Sequence, residues 1–179
     1  MSVNLGPAAL DLPGGVVEAR PNPLNYNPRC LKRDLSDAVN RRYANATSVL
    51  NNILQPKNVY DFQMQMQGVP GTGDIGIHGG GHYSLGGDPG NDVYTSPGDP
   101  AFYLHHSMID RVWWIWQMLD PKERVNGKNA VQGTNTFLDM PPSAKTTLDD
   151  SIDVAWIGGE RKIKDLMSTL SGPFCYVYL

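Results

Sequence analysis

The chain has four histidines, His78, His82, His105 and His106, and all of them fall within one short window of its 179 residues. His78 and His82 stand four apart, a spacing that on a helix stacks two imidazoles one turn above each other and lets them hold one metal ion. Between them lie Gly79, Gly80 and Gly81, and each glycine costs roughly 1 kcal/mol in a helix relative to alanine. Local propensity therefore favours a glycine-rich loop with solvated imidazoles. A helix here has to be imposed by packing or by the metal, and its glycines would then leave room beside the ion for a substrate. His105 and His106 lie in an apolar stretch running from Phe102 to Trp116. An imidazole in such a stretch is either satisfied by a backbone carbonyl or held as a ligand. A third imidazole from this stretch completes a three-histidine set with an open coordination position. Neutral imidazole serves zinc, copper, iron and nickel alike, so the set does not name the metal. Asp110, one turn beyond His106, is placed either to orient it or to pair with Arg111.

Two hydrolytic chemistries fail on residue type. His78-Gly79-Gly80-Gly81 resembles a glycine-rich oxyanion loop, yet the nearest serine context, His82-Tyr83-Ser84-Leu85-Gly86, lacks the first glycine of a nucleophile elbow. A zinc protease needs a glutamate after the first histidine, and Gly79 stands there.

The elements that must position these imidazoles can be read from caps and periodicity. Asp99 is a capping residue and Pro100 suits a first helical position, so a helix is predicted from about Pro100 to Leu119, stopped by Pro121. One stripe of it is Phe102, His106, Ile109, Trp113 and Trp116; a second is Ala101, His105, Met108, Val112, Ile115 and Leu119. Apolar on two faces, it reads as a central helix packed on several sides. A helix is predicted from Asp34 or Ser36 to about Leu54, and a shorter one from Asn58 to Gln67. Residues 1–33 read as extended chain and turns, 68–98 mostly as loop, and 120–160 as irregular. Lys162 to Leu170 reads as a short helix and Phe174 to Leu179 as β-like.

At this length the chain is one domain with room for a core. A net charge of −3 gives no footprint for nucleic acid, and no apolar run reaches the roughly 20 residues of a membrane span. The N-terminus has no signal-peptide layout. Cys30 and Cys175 are either two free thiols or one long-range disulfide, and Asn45-Ala46-Thr47 is a glycosylation sequon.

Asp99-Pro100-Ala101-Phe102-Tyr103-Leu104-His105-His106-Ser107-Met108-Ile109-Asp110 resembles the second copper signature of tyrosinases, catechol oxidases and molluscan haemocyanins. That signature is Asp-Pro-x-Phe, an aromatic, two residues, the copper histidine, three residues and Asp. The resemblance puts the ligand at His106, with His105 as its neighbour, and matches His78 and His82 to the first two ligands of copper B. Asn27-Pro28-Arg29-Cys30, Gln67-Gly68-Val69-Pro70-Gly71 and Gly172-Pro173-Phe174-Cys175-Tyr176-Val177-Tyr178 resemble short secreted fungal tyrosinases. It implies a Cys30–Cys175 disulfide and an extracellular or vacuolar setting. The implied fold is mainly α, with long loops and little β: the copper B half of a type-3 dicopper four-helix core. In this reading 1–179 is a single region, with an extended 1–33, helices and the copper site in 34–119, and an irregular closing segment 120–179.

The family holds two coppers, each by three histidines, and no histidine precedes His78 here. The resemblance therefore implies one copper held by this chain and a second held by an N-terminal copper A half, supplied as a second chain or a missing segment. The implied activity is oxidation of o-diphenols, or of monophenols or o-aminophenols, to quinones by dioxygen once that half is present. The other readings are a non-catalytic copper- or oxygen-binding module and an inactive fragment. Many phenol-hydroxylating members carry a polar residue where Gly79 stands, so the resemblance favours diphenol oxidation. Tyr83 is expected at the substrate mouth, Gln67 near a site water and Val93 at a gate. Loss of the partner helices is expected to expose apolar surface between Phe102 and Leu119.

Overall fold

The computed structural model describes residues 2–4, 28–69, 71–136 and 139–179, so most of the expected extended segment 1–33 lies outside the described residues. The chain divides into two compact units: Met1–Val49 with Met66–Asp110, and Leu50–Gln65 with Arg111–Leu179. In order, the helices are α1 (Asp37–Tyr43), α2 (Ala46–Leu54), α3 (Val59–Gln67), α4 (Gly76–Leu85), a single turn α5 (Gly87–Gly90), α6 (Ala101–Met118) and a short α7 (Pro121–Arg124). Strands β1 (Ser2–Asn4) and β2 (Pro28–Cys30) pair antiparallel, as do β3 (Ser151–Asp153) and β4 (Glu160–Lys162). The protein is mainly helical with little sheet, as the resemblance implied.

The first unit is organised around α4. Ser36 caps α1 by accepting the Val39 N–H at 3.3 Å, and Asp37 and Arg41 pair one turn apart at 2.7 Å. α1 packs on α4, and the contact depends on Gly80: a Cβ there would lie 2.7 Å from the Cβ of Tyr43. The chain before α1 is stitched to the end of α4 by backbone bonds from Asp34 N to Leu85 O (3.0 Å) and Ser36 N to Ser84 O (2.9 Å). α6 starts where its cap predicts. Asp99 is 1% exposed, and its Oδ1 accepts the Ala101 N–H at 2.8 Å. Arg33, distant in sequence, donates to both oxygens of the same carboxylate, from Nε at 2.9 Å and from Nη2 at 2.7 Å.

The second unit has its own core. Trp116 is fully buried, stacks on Phe62 with ring centroids 4.7 Å apart, and donates its indole N–H to the Pro56 carbonyl at 3.0 Å. The buried Arg124 guanidinium lies 4.4 Å over the Trp116 ring and donates to the Trp116 carbonyl at 2.7 Å. Val125, Ala130 and Met167 form a second buried cluster with Trp113, Leu148 and Ile163 packed against it.

Several expectations change. The helix expected from Asp34 or Ser36 to Leu54 is two helices: Asn45 breaks it and restarts the chain by accepting the Ser48 N–H at 2.9 Å. The glycine-rich 68–98 stretch contains a ten-residue helix, α4. α6, expected to pack on several sides, buries Val112, Trp116 and Gln117 and leaves Tyr103 62% and Leu104 76% exposed, within the stretch where uncovered apolar surface was expected. Lys162 to Leu170 forms only a 3-10 turn at Ile163–Leu166, and residues 174–179 take no strand structure. Cys30 and Cys175 are both free and exposed, so the structure does not contain the implied disulfide. Among the described residues, no helix is long and apolar enough to cross a membrane.

Candidate metal centre

α4 brings His78 and His82 onto one face a turn apart, and the first turns of α6 bring His105 and His106 to meet them. The four rings form one cluster. Centroids are 4.9 Å apart for His78 and His82, 5.2 Å for His78 and His106, and 5.0 Å for His82 and His106. His105 completes it, at 5.6 Å from His78 and 4.9 Å from His82.

Distance alone groups His78, His82 and His105, which offer nitrogens within 4.8 Å of one another. The rings that line the adjoining cavity are a different set, His78, His82 and His106. His106 Nδ1 lies 2.9 Å from the Phe102 carbonyl and His82 Nδ1 lies 3.2 Å from the Gly90 carbonyl. A carbonyl only accepts, so each Nδ1 carries the proton and each Nε2 is left with its lone pair. This is the arrangement that fixes tautomer and orientation in a histidine ligand. His105 is wired the other way, with Nε2 donating to the His78 carbonyl at 2.9 Å. His78 Nε2 faces His106 Nε2 at 3.1 Å.

The electrostatics favour neutral imidazoles. Burial, reinforced by repulsion from His82, His105 and His106, pushes His78 down to about 4. Burial likewise pushes His105 down to about 4, against the upward pull of its bond to the His78 carbonyl. His82 is lowered for the same first reason. These three imidazoles are neutral at pH 7, the form a metal requires.

A cavity of about 340 Å³ opens beside the cluster, lined by His78, Gly79, His82, Tyr83, Asn91, Asp92, Val93, Ser96, Phe102 and His106. Gly79 leaves the wall beside His78 without a side chain. Tyr83 is 42% and Val93 76% exposed at the cavity. Phe102 lies against His106, with centroids 3.8 Å apart. Asp92 supports the rim, accepting the N–H groups of Tyr94 and Thr95 at 2.8 Å each. Gln67 is exposed at the end of α3 and does not line the cavity. Arg111 donates to the Leu179 carbonyl at 2.6 Å.

Sequence reasoning offered a backbone carbonyl as one partner for His105, which the His78 carbonyl is, but missed that a Cβ on Gly81 would strike its ring, and missed Arg33. The contact at Gly81 needed α4 to be recognised as a helix. Arg33 meets Asp99 across 66 residues of sequence, with no local signal. Phe102 was legible as the phenylalanine of its motif.

A family model described as the common central domain of tyrosinase matches residues 1–119. Tyrosinase P of Aspergillus terreus is 37% identical over 178 residues, covering 98% of this chain and 48% of the relative. An N-acetyl-6-hydroxytryptophan oxidase of Emericella nidulans is 38% identical, over 88% of this chain and 44% of that protein. A polyphenol oxidase variant from Thermothelomyces thermophila has a solved structure that superposes with a TM-score of 0.84 at 45% identity, covering 100% of this chain and 49% of that one. The chain thus spans about half the length of these relatives. Tyrosinases bind copper, and the histidine cluster is a donor set suited to it. Motif, fold and similarity agree: the chain belongs to the tyrosinase family.

Proposed function

We propose that His78, His82 and His106 hold one copper ion through Nε2, and that this chain is the copper B half of a polyphenol oxidase. The observation that carries the reading is the pair of carbonyl-locked rings, His82 and His106, whose free lone pairs meet His78 at the inner end of one cavity. Copper bound there supplies one-electron redox chemistry toward a phenol and dioxygen. Oxidation of an o-diphenol to a quinone removes two electrons, so the complete reaction needs the copper A half as well. The chain's own residues bind and orient the substrate. Phe102 and His106 present adjoining ring faces, Tyr83 and Val93 form the outer wall, and the cavity is mostly apolar with Asn91 and Asp92 at one side. Gly79 offers no group to hold a water that could take a phenol proton, which favours o-diphenols over monophenols. The proposed setting is extracellular, as in the short secreted enzymes the sequence resembles.

Oxygen uptake with catechol tests this reading. The copper-loaded chain alone is expected to show no turnover, and mixing it with a separately expressed copper A half of a full-length relative is expected to restore turnover. Turnover by the chain alone, or none when the halves form a stable complex carrying both coppers, would contradict it.

A further inference from the structure

We propose that His105 is a positioning residue that registers α4 against α6 at the metal centre, seated in a notch that exists because residue 81 is glycine; this rests on the copper reading above. Two consecutive residues of α6 hold the same ligand in different ways. His106 meets the ring of His78, Nε2 to Nε2 at 3.1 Å, while His105 donates from Nε2 to the backbone carbonyl of His78 at 2.9 Å. The His105 ring also lies nearly parallel to the His78 ring, at 8° with centroids 5.6 Å apart. Residue 78 is thus fixed at its main chain and at its ring by one turn of the facing helix.

The seat is specific. A Cβ on residue 81 would fall 2.1 Å from Cε1, 2.4 Å from Nδ1 and 2.7 Å from Nε2 of His105. Those are atoms of a rigid ring, not the loose end of a flexible chain, so even alanine displaces the imidazole. Gly81 and His105 therefore act as one device, and the helix tolerates a glycine there in exchange for the contact. His105 is not placed as a ligand in this arrangement, because its Nε2 is held by the carbonyl, its Nδ1 faces Gly81, and its ring does not line the cavity.

The test compares the intact chain with His105→Phe, His105→Gln and Gly81→Ala. Phenylalanine keeps a ring and loses the donor, whereas glutamine places an amide N–H within reach of the same carbonyl. Copper(II) affinity is expected to fall about 10–100-fold in His105→Phe and Gly81→Ala, and to return most of the way in His105→Gln. Electron spin echo spectra of the bound copper(II) are expected to count three imidazoles in the wild type and in His105→Phe. In the metal-free chain, nitrogen NMR is expected to find the His105 proton on Nε2. Loss of one imidazole in His105→Phe would make His105 a ligand and overturn the proposal, as would unchanged affinity, failure of glutamine to rescue, or a proton on Nδ1. A wild-type chain that binds no copper would overturn the copper reading instead, while the NMR tautomer would still decide the contact.

Discussion

Burial holds the imidazoles of His78 and His105 down to about 4, and this has a consequence for stability. Well above pH 6.5 His78 and His105 are neutral in both the folded and the unfolded chain, so they contribute no pH dependence there. Below it, the unfolded chain takes up protons that the buried rings refuse until about pH 4. Stability of the metal-free protein is therefore expected to fall as pH drops from 6.5 towards 4 and to level off below. Urea midpoints across that range check this, and His78→Phe is expected to flatten the slope. At this scale the sequence was informative about residue types and silent about wiring. Clustering and the copper motif singled out His78, His82 and His106. Which nitrogen His82 and His105 commit to a carbonyl depends on Gly90 and His78 backbone positions that only the fold brings near, whereas His106 meets the Phe102 carbonyl one turn back on its own helix.

Among the elements, α6 was legible to within a residue at each end, because Asp99 and Pro100 encode its start locally. α4 was not, because its reasons are tertiary: Gly80 admits Tyr43 and Gly81 admits His105, and neither neighbour is close in sequence. Asn45 was overlooked for the opposite reason, since apolar periodicity runs across it while its side chain caps a new helix. The start of α6 offers a clean test. Asp99→Ala removes the cap, a loss of about 1–2 kcal/mol, and leaves Arg33 without its carboxylate. Asp99→Asn keeps an acceptor for Ala101 and loses only the charge-assisted grip of Arg33. Thermal unfolding is expected to rank wild type above Asp99→Asn and Asp99→Ala lowest. Equal melting of the two variants would show that the cap carries no weight.

For the molecule as a whole, the decisive fact is that the chain aligns along nearly its full length yet spans only about half of its relatives. That is consistent with the exposed apolar side chains beside the metal centre, Tyr103, Leu104 and Met108 on α6, which the resemblance led us to expect uncovered. It is also consistent with one three-histidine set, since the family uses two. The central claim is that this chain holds one copper through His78, His82 and His106. Copper content after loading and exhaustive dialysis tests it directly, measured by atomic emission on wild type, His106→Phe and His105→Gln. One copper per chain is predicted for wild type and His105→Gln, and close to none for His106→Phe. A wild-type chain that retains no copper, or a His106→Phe variant that still retains a full equivalent, would contradict the account.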